Sequence, residues 1–231
     1  VAPEHEVLYA QSRHEPYRTG TVPRGVGFLT AGVDVQKDRL ECEVVGWGRG
    51  GESWSIEYFI FPGDHALPEV WFELDKLLER RWPHESGIEL PISRLAVDAA
   101  FSQSIVARWV RRQSGARVMA VHGSDRLPVM VGQARRGDVT RKGKAVKRSG
   151  FVLWPMGSSV IKTELYHRLR LRPPTEPGEL HPPGFCHFPN DYGLPYFQQL
   201  CNEELQFVRT RAGGTKPEWH VKGRNEALDC R

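Results

Sequence analysis

The 231-residue sequence has few cysteines and no pair of them spaced as Cys-x-x-Cys, which argues against a zinc ribbon. A chain of this length can bury roughly 70–75% of its unfolded apolar surface, so it needs neither disulfides nor a metal to fold. We therefore expect a protein of a reducing compartment. The four cysteines are Cys42, Cys186, Cys201 and Cys230.

Long apolar runs are also missing. No run approaches the ~20 residues of a membrane span, and the first residues are polar and acidic, unlike a signal peptide. A hydrophobic content of 39% and a mean hydropathy of −0.47 predict a soluble globular protein with no membrane partner. Because the sequence does not begin with Met, we expect a fragment of a longer protein.

The sequence does not match several familiar functional motifs. Residues 137–145, GDVTRKGKA, have five residues instead of four between the glycines and alanine after the lysine, so they are not a Walker phosphate loop. No lysine has an acid two residues before it, as a restriction-enzyme-like core usually requires. His181, Cys186 and His187 have irregular spacing and lack a fourth ligand, so the sequence does not predict a zinc site.

Charge is present but unevenly distributed. The chain has 32 Lys and Arg against 28 Asp and Glu, for a net charge of +4. Residues 105–150 hold twelve basic and only two acidic residues, so this segment carries +10 and the rest of the chain −6. A basic stripe on an acidic body indicates a polyanion partner, and the simpler alternative is a solvated loop and helix face.

The apolar periodicity predicts an α/β protein with a mixed sheet flanked by helices. Three strands joined by short turns predict an antiparallel meander at 28–36, 40–48 and 53–61. Later strands alternate with helices, which indicates parallel pairing. The later strands are expected at 94–99, 117–122 and 151–155, and the helices at 67–81, from 102, at 162–171, 196–205 and from 224.

The domain organisation follows from composition. Residues 1–25 are polar and rich in Pro and Gly, and we interpret them as an extended arm or linker, followed by one domain over 26–231. Within that domain we expect a basic loop or long hairpin at 132–150 and a Pro-rich surface excursion at 173–184. A short hairpin is expected from 206–211 and 219–222.

Three carboxylates lie in settings where a charge is costly without a partner. Asp34 lies inside an apolar strand, Asp98 ends another strand, and Asp229 lies on the last helix. A divalent cation such as Mg²⁺ would supply the partner, provided that the strands are neighbours. Alternatively, Asp98 caps the next helix and Asp229 is a solvated surface residue.

The segments TAGVDVQ (30–36), LAVDAAF (95–101) and RNEALDC (224–230) resemble the large terminase subunit of tailed phages, of the lambda GpA type. The resemblance is to its C-terminal nuclease domain and extends from about residue 13 to residue 231. It implies an RNase H-like fold and a metal-dependent endonuclease that cuts concatemeric double-stranded phage DNA during packaging. It also implies that the family's ATPase domain, which lies N-terminal to the nuclease, is absent from this chain.

Carried onto this sequence, the resemblance assigns the catalytic and metal-binding acids to Asp34, Asp98 and Asp229, with Glu226 as a weaker fourth candidate one helical turn before Asp229. We expect two Mg²⁺ or Mn²⁺ ions, about 3.5–4 Å apart, that activate a water and stabilise the leaving 3′ oxygen. The implied partners are double-stranded DNA, the ATPase domain, the small terminase subunit and the portal, in the cytoplasm of an infected bacterium.

An acidic site repels phosphate, so basic residues must attract the DNA. Contacts with the phosphate backbone carry little information about the DNA sequence. The candidates for these contacts are Arg135, Arg136, Arg141, Lys142, Lys144, Lys147 and Arg148. Docking to the ATPase domain or portal is the competing role for this loop. Two other functions stay open at this point: another RNase H-like enzyme, such as a transposase or junction resolvase, and a non-catalytic DNA-binding or assembly module.

Overall fold

The computed structural model describes residues 2–136, 139–141, 144–146, 151–176, 178–209 and 213–231, with the backbone alone for 139–141 and 144–146. Over these residues, none of the helices is long and apolar enough to cross a membrane. The α-helices are α1 (His5–Ser12), α2 (Glu69–Glu79), α3 (Gln103–Val110), α4 (Ser158–Leu169), α5 (Leu194–Leu200) and α6 (Glu226–Cys230).

The strands begin with three long, consecutive ones and continue with shorter ones between the helices. They are β1 (Phe28–Val35), β2 (Arg39–Trp47), β3 (Ser53–Pro62), β4 (Arg81–Pro83), β5 (Glu89–Asp98), β6 (Val118–Gly123), β7 (Arg135–Arg136), β8 (Val139–Arg141), β9 (Lys144–Val146), β10 (Val152–Met156), β11 (Cys186–His187), β12 (Glu203–Arg209) and β13 (Thr215–Val221).

One mixed sheet forms the framework, with the strand order β11-β3-β2-β1-β5-β6-β10-β7 and with β4 paired to β5. β1, β2 and β3 pair antiparallel, whereas β1, β5, β6 and β10 pair parallel to one another. The predicted meander followed by parallel strands is therefore confirmed. β1 lies where the two halves meet, so the carboxyl ends of β1 and β5 lie at the same edge of the sheet.

Two buried clusters hold the layers together. The larger one covers one face of the sheet with α2 and α3, where Leu74, Trp82 and Trp109 are fully buried. The smaller one lies among α1, α4, α5 and α6 and is centred on Phe197. The four cysteines are buried free thiols, and Cys42, Cys186 and Cys201 lie within these two clusters.

Some local predictions are wrong. Residues 5–12, expected to be extended, form α1, and Leu8 packs in the smaller cluster, although the predicted domain boundary after residue 25 itself stays a prediction. The helix expected to reach residue 81 ends at Glu79, because the chain turns there to pair β4 with β5. Ser102 is the N-cap of α3 by position, but its side chain makes no capping hydrogen bond.

Candidate metal centre

Two neighbouring parallel strands bring the first two predicted acids together. Val33 of β1 is opposite Val97 of β5, so Asp34 and Asp98 follow at the same level of the sheet. The side-chain direction alternates along a strand, and the buried valines fix which face each aspartate takes. The arrangement depends only on the parallel register, which the pattern of apolar residues in both strands specifies.

Asp34 is the most buried of the three predicted acids, with 6% of its surface exposed. Its pKa is raised to about 6, mainly by burial and also by the neighbouring carboxylates of Asp229 and Asp98, while the hydrogen bond from Gln36 opposes the increase. Gln36 Nε2 donates to Asp34 Oδ2 at 2.6 Å. A buried carboxylate that faces other carboxylates is destabilised as an anion, and a cation between them would relieve this cost.

Asp98 terminates β5 where the chain turns toward α3. Burial raises the pKa of its carboxyl group, while the backbone amide of Ala100 and the side chain of His122 on β6 lower it. The Ala100 amide donates to Asp98 Oδ1 at 3.0 Å, so the aspartate also stabilises this turn. The capping alternative and the ligand hypothesis are thus compatible, because the turn holds the carboxylate at the strand end.

The terminal helix α6 carries the third acid against the sheet. α6 packs on β1 and β2, and its approach is so close that a Cβ at Gly32 would lie 2.1 Å from the Cys230 carbonyl oxygen. Asp229 therefore faces the strand ends, and its carboxylate interacts electrostatically with those of Asp34 and Asp98. Among the described residues, the carboxylates of Asp34, Asp98 and Asp229 interact electrostatically but do not form a group of ligand atoms within 4.8 Å of one another, so their joint role as metal ligands stays a prediction.

A polar network holds Asp229 in place. Burial raises the pKa of Asp229, and Lys162 of α4 opposes this increase. Lys162 Nζ is 3.0 Å from Asp229 Oδ1 and 2.5 Å from Glu203 Oε1, and Asn225 Nδ2 donates to Asp229 Oδ2 at 2.9 Å. The ammonium group of Lys162 thus binds one carboxylate oxygen of Asp229 and compensates part of its negative charge.

Glu226 lies in a neighbouring ion-pair cluster. Its carboxylate pairs with Arg39 of β2 and, at 3.4 Å, with Arg224 Nε, and both arginines also bind the fully buried Glu41. Glu226 still raises the pKa of Asp34, so it is close to the candidate centre. The arginines give Glu226 a structural role in docking α6, and a metal-ligand role for Glu226 stays a prediction.

A cleft of about 570 Å³ opens next to the acids, between the sheet and the helices α4 and α6. Asp98 and Asp229 line its wall, together with Lys162 and, near the strand ends, Asp125. Thr30 and Arg94 line its other side. The cleft is lined by two of the three carboxylates, whereas Asp34 is buried and is not among its lining residues.

The sequence analysis missed the residues that hold the acids in place. Lys162, Asn225 and Glu203 come from three different elements, and Gln36 lies in a turn. The apolar buried face of α4 gives no indication that Lys162 points at a carboxylate. Asn225, one residue before α6 and within the segment RNEALDC, was the only one with a local signal.

The basic residues are partly described. Arg135 and Arg136 are exposed on β7, the edge strand beside β10. Arg135 is connected to the strand of Asp98 by a row of paired residues, which runs from Val97 of β5 through Ala120 and Leu153. Arg135 therefore lies three strands from β5, a distance of roughly 14 Å at ~4.8 Å per strand. Outside the described side chains lie Arg141, Lys142, Lys144, Lys147 and Arg148.

The fold and the site together define the class of protein. A three-stranded antiparallel meander, a central first strand and parallel strands beyond it, with acids at the ends of β1 and β5, constitute an RNase H-like α/β domain. Residues 2–231 match the family described as the terminase large subunit gpA, endonuclease domain. The chain belongs to this family of terminase nuclease domains.

Curated relatives agree with the family assignment. The large terminase subunit of Escherichia phage lambda is 32% identical over 233 residues, covering 99% of this chain and 34% of the relative. The large terminase subunit of Enterobacteria phage P21 is 30% identical over 215 residues, covering 92% of this chain and 32% of the relative. The chain thus spans about a third of the length of these relatives.

Solved structures of terminase nucleases are more distant. The large terminase nuclease of thermophilic phage G20c with bound magnesium matches with a TM-score of 0.46 and 14% identity, over 87% of this chain and 77% of that one. A K428A mutant nuclease domain of gp2 from bacterial virus Sf6 with manganese has a TM-score of 0.45 and 11% identity, over 89% and 87%.

Proposed function

We propose that this domain is a Mg²⁺- or Mn²⁺-dependent endonuclease that hydrolyses phosphodiester bonds of concatemeric double-stranded DNA, with Asp34, Asp98 and Asp229 as ligands of two metal ions. The observation that carries the proposal is that Asp34 and Asp98 end adjacent parallel strands and interact electrostatically with Asp229 of α6. Membership of a terminase endonuclease family supports the reaction class.

The donor set fits a hard divalent cation. Carboxylate oxygens are the ligands that Mg²⁺ and Mn²⁺ prefer, and burial together with mutual repulsion makes the empty cluster unfavourable as three anions. Asp34, on the central strand β1, would hold the metal together with Asp98 and Asp229. When bound, the ions would polarise the phosphate and lower the pKa of a coordinated water.

The side chains around the acids have separate tasks. Gln36 and the Ala100 amide each bind one oxygen of an aspartate and fix its orientation. Lys162 compensates the charge of Asp229 and Glu203. We infer that its ammonium group also shields Asp229 from the approaching phosphate backbone, which the negative cluster would otherwise repel.

The DNA would lie across the carboxyl ends of the parallel strands. Arg135 and Arg136 are exposed on the far edge strand, where their partners on β10 lie one and two positions before the level of the acids. They can contact the phosphate backbone on one side of the scissile bond, and such contacts position DNA without reading its sequence. Arg141, Lys142, Lys144, Lys147 and Arg148 extend the same proposal, with docking to a packaging partner as the alternative role.

The larger setting is also a proposal. Because the relatives are large terminase subunits, we infer that this domain acts with an ATPase domain, a small terminase subunit and a portal in the cytoplasm of the infected host. A transposase or junction resolvase would use a similar cluster of acids, and a comparison of linear duplex with four-way junction substrates separates these activities. Preferred cleavage of junctions would contradict the terminase assignment.

The decisive experiment is cleavage of plasmid DNA in Mn²⁺ by the single variants Asp34→Asn, Asp98→Asn and Asp229→Asn. Each substitution removes a charged ligand but keeps the side-chain size, so we expect cleavage to fall by at least a hundredfold while circular dichroism stays unchanged. The control is Glu79→Gln, at a carboxylate on α2 that is 86% exposed. Wild-type cleavage by Asp34→Asn would exclude the proposed site.

A further inference from the structure

A second group of metal-ligating side chains lies at the other edge of the sheet. Glu52, His181 and His187 each offer a ligand atom, and these atoms lie within 4.8 Å of one another. Glu52 directly precedes β3, His187 is in β11, which pairs with β3, and His181 belongs to the Pro-rich segment. This group is the Glu52–His cluster.

The Glu52–His cluster is separate from the carboxylates of the candidate nuclease site. Ser53 is opposite Trp47 of β2, which is opposite Phe28, the first residue of β1. Asp34 lies six positions further along β1, or roughly 20 Å at ~3.4 Å per residue, and two strands across. An ion bound by the histidines therefore could not be one of the ions proposed for DNA cleavage.

Both histidines face one carboxylate. His187 Nε2 is 2.7 Å and His181 Nδ1 is 3.6 Å from the same oxygen, Oε1 of Glu52, and the two rings lie edge to face with centroids 4.5 Å apart. Ligand atoms on a tetrahedral zinc ion lie roughly 3.3 Å from one another, so the observed spacing requires only small adjustments.

A fourth side chain orients the buried histidine. Glu15, which follows α1, accepts a hydrogen bond from His187 Nδ1 at 2.7 Å, and the ring stacks on Trp54 with an interplanar angle of 2°. A carboxylate on the outer nitrogen of a histidine ligand selects the tautomer that leaves the inner nitrogen free to bind a metal. The inner nitrogen here is Nε2, the one that faces Glu52.

The ligand atoms of the two imidazoles and the carboxylate lie within 4.8 Å of one another, so a single cation can reach all three. A divalent cation compensates the carboxylate and uses both rings in their neutral form. A cavity of about 300 Å³, lined by His14, Glu15 and His181, gives an entry path and room for a water ligand.

We propose that Glu52, His181 and His187 bind one zinc-class divalent cation, with Glu15 as the residue that orients His187. The ligand set of two imidazoles and a carboxylate favours Zn²⁺ over the Mg²⁺ expected at the three aspartates. The ion would join the start of β3, the Pro-rich segment and β11, and Glu15 would link the chain after α1 to the site through His187. Its role is to fasten the N-terminal and Pro-rich segments to the edge of the sheet.

This grouping also explains why the histidines gave no zinc signal in the sequence. Cys186 is adjacent to His187 on β11 and points to the opposite side, where the Ser53 hydroxyl donates to its sulfur at 3.6 Å. The third ligand, Glu52, is distant in sequence and is brought in by the pairing of β11 with β3. The ligand group in the structure therefore contains Glu52 in place of Cys186, which the sequence analysis had considered beside the two histidines.

The test is a calorimetric titration with Zn²⁺ in the Asp34→Asn/Asp98→Asn/Asp229→Asn background, in which the nuclease carboxylates are neutral. We expect one equivalent of Zn²⁺ to bind, and His181→Ala or Glu52→Gln to weaken binding at least tenfold. His181 is half-exposed, so its substitution should leave the fold intact, as circular dichroism would verify. The matched control is His167→Ala, at an exposed histidine of α4.

A second readout is thermal stability with and without Zn²⁺. Binding to the folded state alone should raise the melting temperature of the same triple-Asn background by several degrees, and this increase should disappear when His181→Ala is added but persist with His167→Ala. Absence of stoichiometric binding, or equal binding by His181→Ala and the wild type, would overturn the proposal. Either result would leave the nuclease assignment untouched, because that assignment rests on other residues.

Discussion

At the residue scale, Asp34 has opposite effects on stability and on function. It is nearly fully buried on the central strand, where an anion is unfavourable, yet its charge is what a metal ion needs. The neighbouring Asp98 and Asp229 increase this cost, since each repels the ionised form of Asp34. The folded chain therefore keeps negative charges close together around Asp34, although they repel one another. A bound cation would compensate this repulsion.

The stability of the chain should therefore depend on pH through Asp34. Its pKa is 3.8 in the unfolded chain and about 6 when folded, so its contribution is fully present below pH 3.8 and is lost as the pH rises through 6. In chelator, Asp34→Asn should be more stable than the wild type by about 3 kcal/mol at pH 7 and by much less at pH 4. Urea unfolding at both pH values measures the difference, and a pH-independent effect would contradict the assigned cause.

Lys162 is the second residue with a measurable contribution. It is 19% exposed and pairs with Glu203, which is 1% exposed, and with Asp229. Removing the ammonium leaves two carboxylates without their cation, so Lys162→Met should destabilise the fold by about 3 kcal/mol in chelator. Lys76→Met, which breaks an exposed pair with Glu73, should cost under about 1 kcal/mol. Equal losses in thermal denaturation would show that the Lys162 network adds no stability.

At the element scale, the position of α6 depends on a glycine in the neighbouring strand. α6 has only five residues, and it lies against β1 because Gly32 has no side chain at the point of contact. The ion pairs of Glu226 with Arg39 and Arg224 fix the same helix from the other side. A strand and a helix from opposite ends of the chain thus share one short contact, and this contact sets the position of Asp229.

Gly32→Ala tests this contact. The new Cβ would lie 2.1 Å from a backbone oxygen of α6, so the helix must move and Asp229 must leave the other acids. We expect cleavage to fall at least tenfold, with the sheet retained in circular dichroism. Gly115→Ala is the matched control, because nothing lies within 4 Å of its added Cβ. Unchanged cleavage by Gly32→Ala would mean that α6 does not set the geometry of the site.

Elements with strong local patterns were predictable from the sequence, and those that depend on distant partners were not. The meander over β1 to β3 follows from alternating residues and short turns, and Asp34 and Asp98 follow from the apolar residues around them. The sequence analysis did not predict α1, because this helix buries few residues and has no clear apolar face. β4 and β11 are two or three residues long and exist only through pairing with β5 and β3.

At the scale of the whole molecule, charge is separated across the sheet. The acids lie at the ends of β1 and β5, whereas Arg135 and Arg136 lie on β7, beyond β10 at the far edge. The net charge of +4 conceals a positive segment, residues 105–150, and a negative remainder of the chain. In a duplex that contacts both, the basic residues would attract the DNA backbone, and a single phosphate would lie at the acidic centre.

The salt dependence of DNA binding tests this separation. Each phosphate contact contributes about 0.9 to the slope of log K against log salt concentration, so Arg135→Gln/Arg136→Gln should reduce the slope by about 1.8. Neutralising Lys142, Lys144 and Lys147 together should flatten it further. Fluorescence anisotropy in chelator measures the slopes, with Lys216→Gln/Lys222→Gln on β13 as the control. An unchanged slope in the arginine variant would remove β7 from the DNA path.

The docking of α6 also has a consequence for the time course of synthesis. Asp34 and Asp98 lie in the first half of the chain, whereas Asp229 arrives with α6 after all strands of the central sheet have been made. Contacts between residues so far apart in sequence form late, because closing the long intervening loop costs entropy. A nascent chain can therefore fold its sheet while its third acid is still missing, so the metal site proposed for Asp34, Asp98 and Asp229 would be completed only when the last helix docks.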